Sequence, residues 1–191
     1  MRIAIILGST RPNRNGEAVA TWVHERARAR KDAEFELVDL RDFELPLLDE
    51  PIPPSQGKYS HEHTKRWAAT VASFDGYVFV APEYNHGISG ALKNAIDFVY
   101  AEWNNKAAGF VSYGSAGGVR AVEQLRQVMA ELQIADVRAQ VMLSLVTDFE
   151  NYSTFTPASY HDATLDTMLD QVIAWAGALQ PLRKGLATAA R

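Results

Sequence analysis

Ile3-Ala4-Ile5-Ile6-Leu7 is followed by Gly8-Ser9-Thr10-Arg11-Pro12-Asn13-Arg14-Asn15-Gly16 and then, from Glu17, by apolar residues at helical spacing. Five consecutive apolar residues, mostly β-branched, suit a strand covered on both faces, and such strands belong to parallel sheets with helices on each side. The stretch therefore reads as strand, loop, helix. Ser9, Thr10 and Arg11 offer hydroxyl and guanidinium donors, and Gly16 with the first free amides of the helix offers backbone donors where the helix dipole is positive. A phosphate fits such a loop. Isolated Gly8 and Gly16 without a Gly-Lys-Ser/Thr ending exclude both the Walker loop and the dinucleotide fingerprint. With Arg11 and Arg14 as candidate cations, a terminal monophosphate suits the loop better than a triphosphate. The competing reading is an ordinary βα loop with a capped helix.

Outward from this stretch, composition narrows the class. The 191 residues match one domain, with 47% hydrophobic and 22% charged residues and a net charge of −4. These values describe a globular chain too weakly charged to steer partners. No basic stripe with interleaved aromatics recommends nucleic acid, and no apolar run approaches a membrane span. The N-terminal apolar run stops too soon for a signal peptide, which predicts a cytoplasmic protein. The chain has no cysteine, which removes thiolate nucleophiles and thiolate metal sites.

Along the chain, Ala18, Val19, Trp22, Val23 and Ala27 form one helical stripe, and Phe35, Leu37 and Leu40 alternate as a strand nearer the sheet edge. Prolines 46, 51, 53 and 54 keep regular structure out of Arg41 to Ser60. A helix is expected over His61 to Ser73, a central strand over Tyr77 to Ala81, and a helix capped by Ser89. In that last helix Leu92, Ala95, Ile96, Val99 and Trp103 share a stripe, and Phe98 and Tyr100 fall on its flanks as a hint of a subunit interface. A strand over Ala107 to Tyr113, a helix behind it and a strand over Val137 to Leu145 follow. Thr147 to His161 reads as loop. Asp162 to Leu179 reads as a last helix ended by Pro181, with a frayed tail after it. The domain is thus expected to span residues 1–180, with 181–191 as a tail.

This alternation predicts a three-layer α/β sandwich with a five-stranded parallel sheet and helices on both faces. Ligands of such sheets bind beyond the carboxyl ends of the strands. Three loops open there: Gly8 to Gly16, Pro82 to Ser89, and Gly114-Ser115-Ala116-Gly117-Gly118, whose three glycines let backbone approach a ligand closely. Phosphate donors, then polar and aromatic groups, then bare amides together suit a flavin mononucleotide. His61 and His63 lack the spacing of a zinc-protease helix, Ser115 lacks the context of an esterase elbow, and Asp39 lacks the glycine fingerprint that a ribose-binding acid accompanies.

Leu7 to Ala18, Pro82 to Asp97 and Tyr113 to Arg120 resemble the corresponding strings of the NAD(P)H-dependent FMN reductase family, over roughly residues 2 to 180. Pro82-Glu83-Tyr84-Asn85 with Leu92-Lys93-Asn94-Ala95 downstream is the most specific part, and Ser89 stands where many relatives have proline. The resemblance implies a flavodoxin-like fold and FMN as cofactor, with its phosphate held by Ser9, Arg11, Asn15 and Gly16. It implies ribityl and ring contacts from Pro82, Glu83, Tyr84, Asn85 and His86, and ring-edge contacts from Gly114, Ser115 and Gly117. NADPH or NADH is then the co-substrate, and a small acceptor such as free flavin, quinone, azo compound or metal oxyanion takes the electrons. The flavin carries the hydride chemistry, so no side chain is nominated as acid or base. A homodimer or homotetramer is expected. The alternatives are a flavodoxin-type electron carrier without its own NAD(P)H reaction and a nucleotide-binding or structural protein without flavin.

Overall fold

The computed structural model describes residues 1–189, with side chains through residue 185. In chain order it contains β1 (Arg2–Leu7), α1 (Gly16–Arg28), β2 (Glu34–Asp39), α2 (Glu62–Ala72), β3 (Gly76–Pro82) and α3 (Gly90–Asp97). There follow β4 (Lys106–Gly114), α4 (Val119–Glu131), β5 (Ile134–Ser144), the short strands β6 (Phe149–Glu150) and β7 (Thr154–Phe155), and α5 (Tyr160–Ala189). All pairings in the main sheet are parallel, in the order β2-β1-β3-β4-β5. This is the flavodoxin-like order, and it agrees with the sequence reading.

The period of two along each strand explains how one sheet serves two cores. From β1, Ile3, Ile5 and Leu7 point to the layer that also holds Val19 and Val23 of α1 and Leu165 and Val172 of α5. Ala4 and Ile6 point to the opposite layer with Trp67 of α2, Ile96 of α3 and Leu125 of α4. β1, β3 and β4 are central, which is why their apolar runs are unbroken. The edge strands β2 and β5 are covered less completely: β2 buries only Val38 and leaves Leu37 exposed, against the expected alternation, and β5 mixes buried, half-buried and exposed positions. Between β2 and α2 the proline-rich stretch forms only two short 3-10 turns, Leu40–Phe43 and Pro54–Gln56.

The structure corrects three expectations. First, α3 ends at Asp97, and Ala101–Trp103 is a separate 3-10 turn. The Trp103 indole donates to Ile96 O at 3.1 Å, the carbonyl a continuing helix would need, and the Tyr100 amide turns instead to the Tyr59 hydroxyl at 3.4 Å. Phe98 is consequently fully buried, edge-on to His63, and Tyr100 is half-buried with its hydroxyl donating to Glu131 O at 3.2 Å. Neither aromatic marks a subunit interface.

Second, α5 continues through Pro181. The missing proline N–H removes one helical bond, but Arg183 anchors the next turn. Its guanidinium donates to Asn105 O at 2.8 Å and to Asp75 Oδ1 at 2.6 Å. The expected fraying from Arg183 is therefore replaced by helix up to Ala189, and the last two residues of that tail lie outside the described residues.

Third, Thr147 to His161 contains the β6–β7 hairpin. Its loop is Asn151-Tyr152-Ser153, between the paired Glu150 and Thr154; Asn151 and Tyr152 take positive φ (49° and 58°), and Ser153 N–H closes the turn on Glu150 O at 3.1 Å. Phe149 and Phe155 pack on each other at 5.1 Å, and Phe155 meets Trp22 of α1 at 5.7 Å. At its base the buried Asp148 accepts from the Ser144 amide at 2.8 Å, the Ala158 amide at 3.2 Å and His161 Nε2 at 3.0 Å.

Candidate active site

The loops after β1, β3 and β4 lie side by side at the carboxyl edge of the sheet, and hydrogen bonds tie them together. Gly8 N–H donates to Val80 O at 2.9 Å, and Glu83 N–H donates to Tyr113 O at 2.9 Å. Ser89 caps α3 by accepting from Leu92 N–H at 3.1 Å, while its hydroxyl donates to Gly8 O. A proline at that position could make neither side-chain bond.

The first loop separates its two arginines by role. Arg14 is buried, and its guanidinium forks onto both carboxylate oxygens of Asp39 and onto Ser9 O. Asp39 also accepts from Arg41 N–H at 3.0 Å. Arg14 is thus an internal brace, its Nε alone unpartnered, and Asp39 is fully engaged in holding it. Arg11 is exposed and makes one long bond, 3.4 Å to Asn13 O. Of the two cations only Arg11 is free to turn to an anion.

Ser9, 1% exposed, has its hydroxyl 3.3 Å from that of Tyr84, so the first and second loops meet at these two side chains. Asn15 does not cap α1 with its side chain; Nδ2 donates instead to Tyr152 O in the β6–β7 turn at 2.8 Å. The Asn15 side chain is thus engaged by the hairpin. Gly16 opens α1 where a Cβ would overlap the Tyr113 hydroxyl and come within 2.9 Å of Leu7 Cδ1, so only glycine lets helix and strand approach this closely. The first amides of α1 have no acceptor within the helix, and the positive end of its dipole lies at the loop that carries exposed Arg11, whereas the Arg14 charge is matched by Asp39.

Pro82 is buried at the end of β3, and the chain then reverses over Tyr84 to Gly87, whose backbones bond reciprocally at 2.9 and 3.0 Å. Asn85 and His86 both take positive φ there, and with Tyr84 they are exposed at the rim. Glu83 differs. Its side chain is 4% exposed and accepts from Arg120 Nε at 2.7 Å, Arg120 Nη2, and the amides of Arg120 and Ala121 at 3.1 and 3.4 Å. Burial works against the charged carboxylate, but the Arg120 guanidinium and these amides outweigh it and hold the pKa below the usual range. The Glu83 carboxylate is therefore spent on the start of α4.

In the third loop Gly114 accepts from Gly117 N–H and Leu145 N–H at 3.1 and 3.0 Å, Ser115 is exposed, and Gly117 is buried. Gly118 has φ 72°, and a Cβ there would lie 2.6 Å from Ser112 Cβ and 2.8 Å from Tyr113 N. Arg120, two residues after the paired Gly117-Gly118, carries no role in the sequence reading. From Nη1 it also reaches His86 Nε2 at 2.7 Å. The signal was an acid at the start of one loop and a base at the end of the next.

The chain matches known proteins. The NADPH-dependent FMN reductase family matches residues 1–148. An NAD(P)H-dependent FMN reductase of Nectria sp., ntnL, is 40% identical over 156 residues, 77% of this chain and 78% of the relative. The chain belongs to the NADPH-dependent FMN reductase family. Another NAD(P)H-dependent FMN reductase, from Schizosaccharomyces pombe, is 41% identical over 149 residues, covering 77% of this chain and 74% of its own length. More distant relatives are a quinone reductase of Pseudomonas putida, 31% identical, and an NADPH azoreductase of a Bacillus species, 29% identical. Among solved structures, the flavoenzyme NAD(P)H:acceptor oxidoreductase FerB of Paracoccus denitrificans superposes with a TM-score of 0.71 at 19% identity. That alignment covers 93% of this chain and 97% of FerB and carries the fold alone. FMN is the cofactor of the family and NAD(P)H its electron donor, and the reductase is an oxidoreductase rather than a carrier alone.

The carboxylates that tie the loops fix an acid limit for the reductase. Asp148, like Glu83, is held below the usual carboxylate range: burial opposes its charge, and the Ser144 and Ala158 amides with His161 more than compensate. A lowered folded-state pKa gives stability that is complete above the unfolded-state value, about 4, and lost as pH falls through the folded value. Thermal unfolding between about pH 3 and pH 7 should show the melting temperature dropping below about pH 4. Glu83→Gln should flatten that drop; an unchanged acid limb would remove Glu83 from the account.

Proposed function

We propose that the protein binds FMN with its phosphate on Ser9, Arg11 and the backbone of Asn15 and Gly16, within one FMN-binding domain of residues 1–180. The ribityl chain and ring then run along Pro82 to His86, and Gly114, Ser115 and Gly117 present backbone at the ring edge. The observation that carries this placement is the convergence of exposed Arg11, the open start of α1 and a buried, unpartnered Tyr113 hydroxyl in one corner. A dianionic monoester supplies strong acceptors for the Arg11 guanidinium and the first amides of α1.

FMN held by these residues would supply the hydride and electron-transfer chemistry. The protein's part is to bind and orient. Arg11 and the α1 amides hold the phosphate end, the Tyr84–Gly87 reversal presents an aromatic and polar rim, and the Glu83–Arg120 clamp fixes the distance between the second and third loops. Quinones, azo compounds and free flavin are the proposed acceptors, which the names of the more distant relatives support. Use of NAD(P)H supports a cytoplasmic location. A homodimer or homotetramer is supported by exposed apolar side chains, among them Leu47, Val146, Trp175 and Leu182; light scattering decides it.

The test is anaerobic titration of the FMN-loaded protein with NADPH and with NADH, followed by a quinone. Loss of the oxidised flavin absorbance on nicotinamide addition, restored by quinone, is expected. A flavin that stays oxidised with both nicotinamides would instead identify an electron carrier.

A further inference from the structure

Two buried polar atoms of this corner lack a hydrogen-bond partner: Arg14 Nε, which has the Glu17 carboxylate at 3.8 Å, and the Tyr113 hydroxyl. Tyr113 is 6% exposed, and its hydroxyl is buried without a well-formed hydrogen bond. A buried hydroxyl without a partner is costly, and a functional reason for it is sought first among groups that arrive later. The hydroxyl lies against the start of α1, in the space that Gly16 leaves open, beside the Ser9 hydroxyl. Ser9 in turn is 3.3 Å from the Tyr84 hydroxyl. Three hydroxyls thus form a row, Tyr84, Ser9 and Tyr113, from the rim to the interior.

We infer that Tyr113 is a positioning residue for the flavin phosphate, acting through Ser9: in the free loop its hydroxyl lies beside Ser9 without a well-formed hydrogen bond, and that bond is completed when Ser9 donates to the phosphate. This rests on the phosphate reading of the first loop. A serine hydroxyl has one proton and two acceptor lone pairs. A phosphate oxygen only accepts, so it takes the Ser9 proton as a hydrogen bond and leaves the lone pairs facing the two tyrosines. The row then has one direction, with Tyr113 and Tyr84 donating to Ser9 and Ser9 donating outward. Burial, reinforced by Tyr84, raises the Tyr113 pKa well above its ordinary value, so Tyr113 stays protonated and serves as donor. Its ring is held from the hairpin side by Phe149 at 6.3 Å, so the hydroxyl cannot swing to another partner. No bond is made or broken in this step; only hydrogen-bond direction changes.

The experiment is fluorescence titration of wild type and Tyr113→Phe with FMN and with riboflavin, together with thermal unfolding of the ligand-free proteins. Tyr113→Phe is expected to weaken FMN about tenfold, the equivalent of about 1.4 kcal/mol, and to leave riboflavin unchanged. The ligand-free melting temperature should hold or rise, because an unsatisfied buried group has been removed. In a Ser9→Ala background the same change should add no further loss. Unchanged FMN affinity, or equal losses for FMN and riboflavin, would overturn the role of Tyr113 while leaving the cofactor site standing. Wild type binding FMN no more tightly than riboflavin would overturn the phosphate reading and this inference with it. A second measurement needs no variant: in wild type carrying labelled tyrosine, a slowly exchanging Tyr113 hydroxyl proton should appear in the NMR spectrum with FMN and not with riboflavin. Its absence with FMN would equally overturn the inference.

Discussion

Arg11→Ala is expected to weaken FMN binding roughly ten- to a hundredfold, about 1.5–3 kcal/mol for a lost hydrogen bond to a charged group, and to leave riboflavin binding unchanged. The contrast with Arg14 gives the prediction its force. Both arginines lie on the same loop, but Arg14 is committed to Asp39 and to Ser9 O within the fold, whereas the Arg11 head is exposed and held only by a 3.4 Å bond to Asn13 O. Losing Arg11 therefore removes a ligand contact with almost no structural penalty, so the ligand-free melting temperature should not move. Arg11→Lys should recover part of the affinity, because the charge returns without the planar fork. Calorimetric titration of each variant with both flavins decides the matter. A riboflavin loss as large as the FMN loss would show that Arg11 shapes the loop rather than reading the phosphate.

Glu83→Ala should be felt throughout the site, lowering stability by roughly 2–4 kcal/mol and weakening FMN and riboflavin alike. Removing the carboxylate leaves the Arg120 guanidinium and the first amides of α4 without their acceptor. Arg120 is 40% exposed and can recover water, which keeps the cost below that of a fully buried pair. The larger effect is geometric. Glu83 holds the second loop to the third, so its loss frees the ring edge without touching the phosphate corner. Glu83→Gln, which keeps an acceptor of the same shape, should fall between wild type and alanine. Denaturant unfolding with parallel flavin titration measures both consequences; an alanine variant with wild-type affinity for both flavins would mean that the clamp stabilises the fold alone.

The parts of this fold that could be read from sequence are those that hydrophobic period controls. β1, β3 and β4 announce themselves as unbroken apolar runs because both faces are covered, and β2 and β5, at the edges, carry polar and charged residues among the apolar ones. The strings at Ser9 to Gly16 and Pro82 to His86 also pointed to one edge of the sheet, because in a parallel sheet the loops after the central strands share that edge. Local pattern failed where a distant side chain decided the outcome. α3 stops because the Trp103 indole takes the Ile96 carbonyl, and α5 passes Pro181 because Arg183 finds Asp75, more than a hundred residues away. The β6–β7 hairpin escaped because its strands are two residues long and its loop is Asn151-Tyr152-Ser153 rather than the familiar Asn-Gly. Arg120 escaped for a related reason: its partner Glu83 is local only in space.

The bond from Ser89 to Gly8 O belongs to a ring of ties in which no loop stands alone. Ser89 fastens α3 to the first loop, Ser9 meets Tyr84, Glu83 grips Arg120, and Asn15 holds Tyr152. A chimaera that imports the first loop from a relative disturbs three of these ties at once, and it should lose flavin whatever the merit of the imported segment. For protein engineering, the transferable unit is the whole rim, grafted as a set from a single donor, with the sheet beneath left as it is.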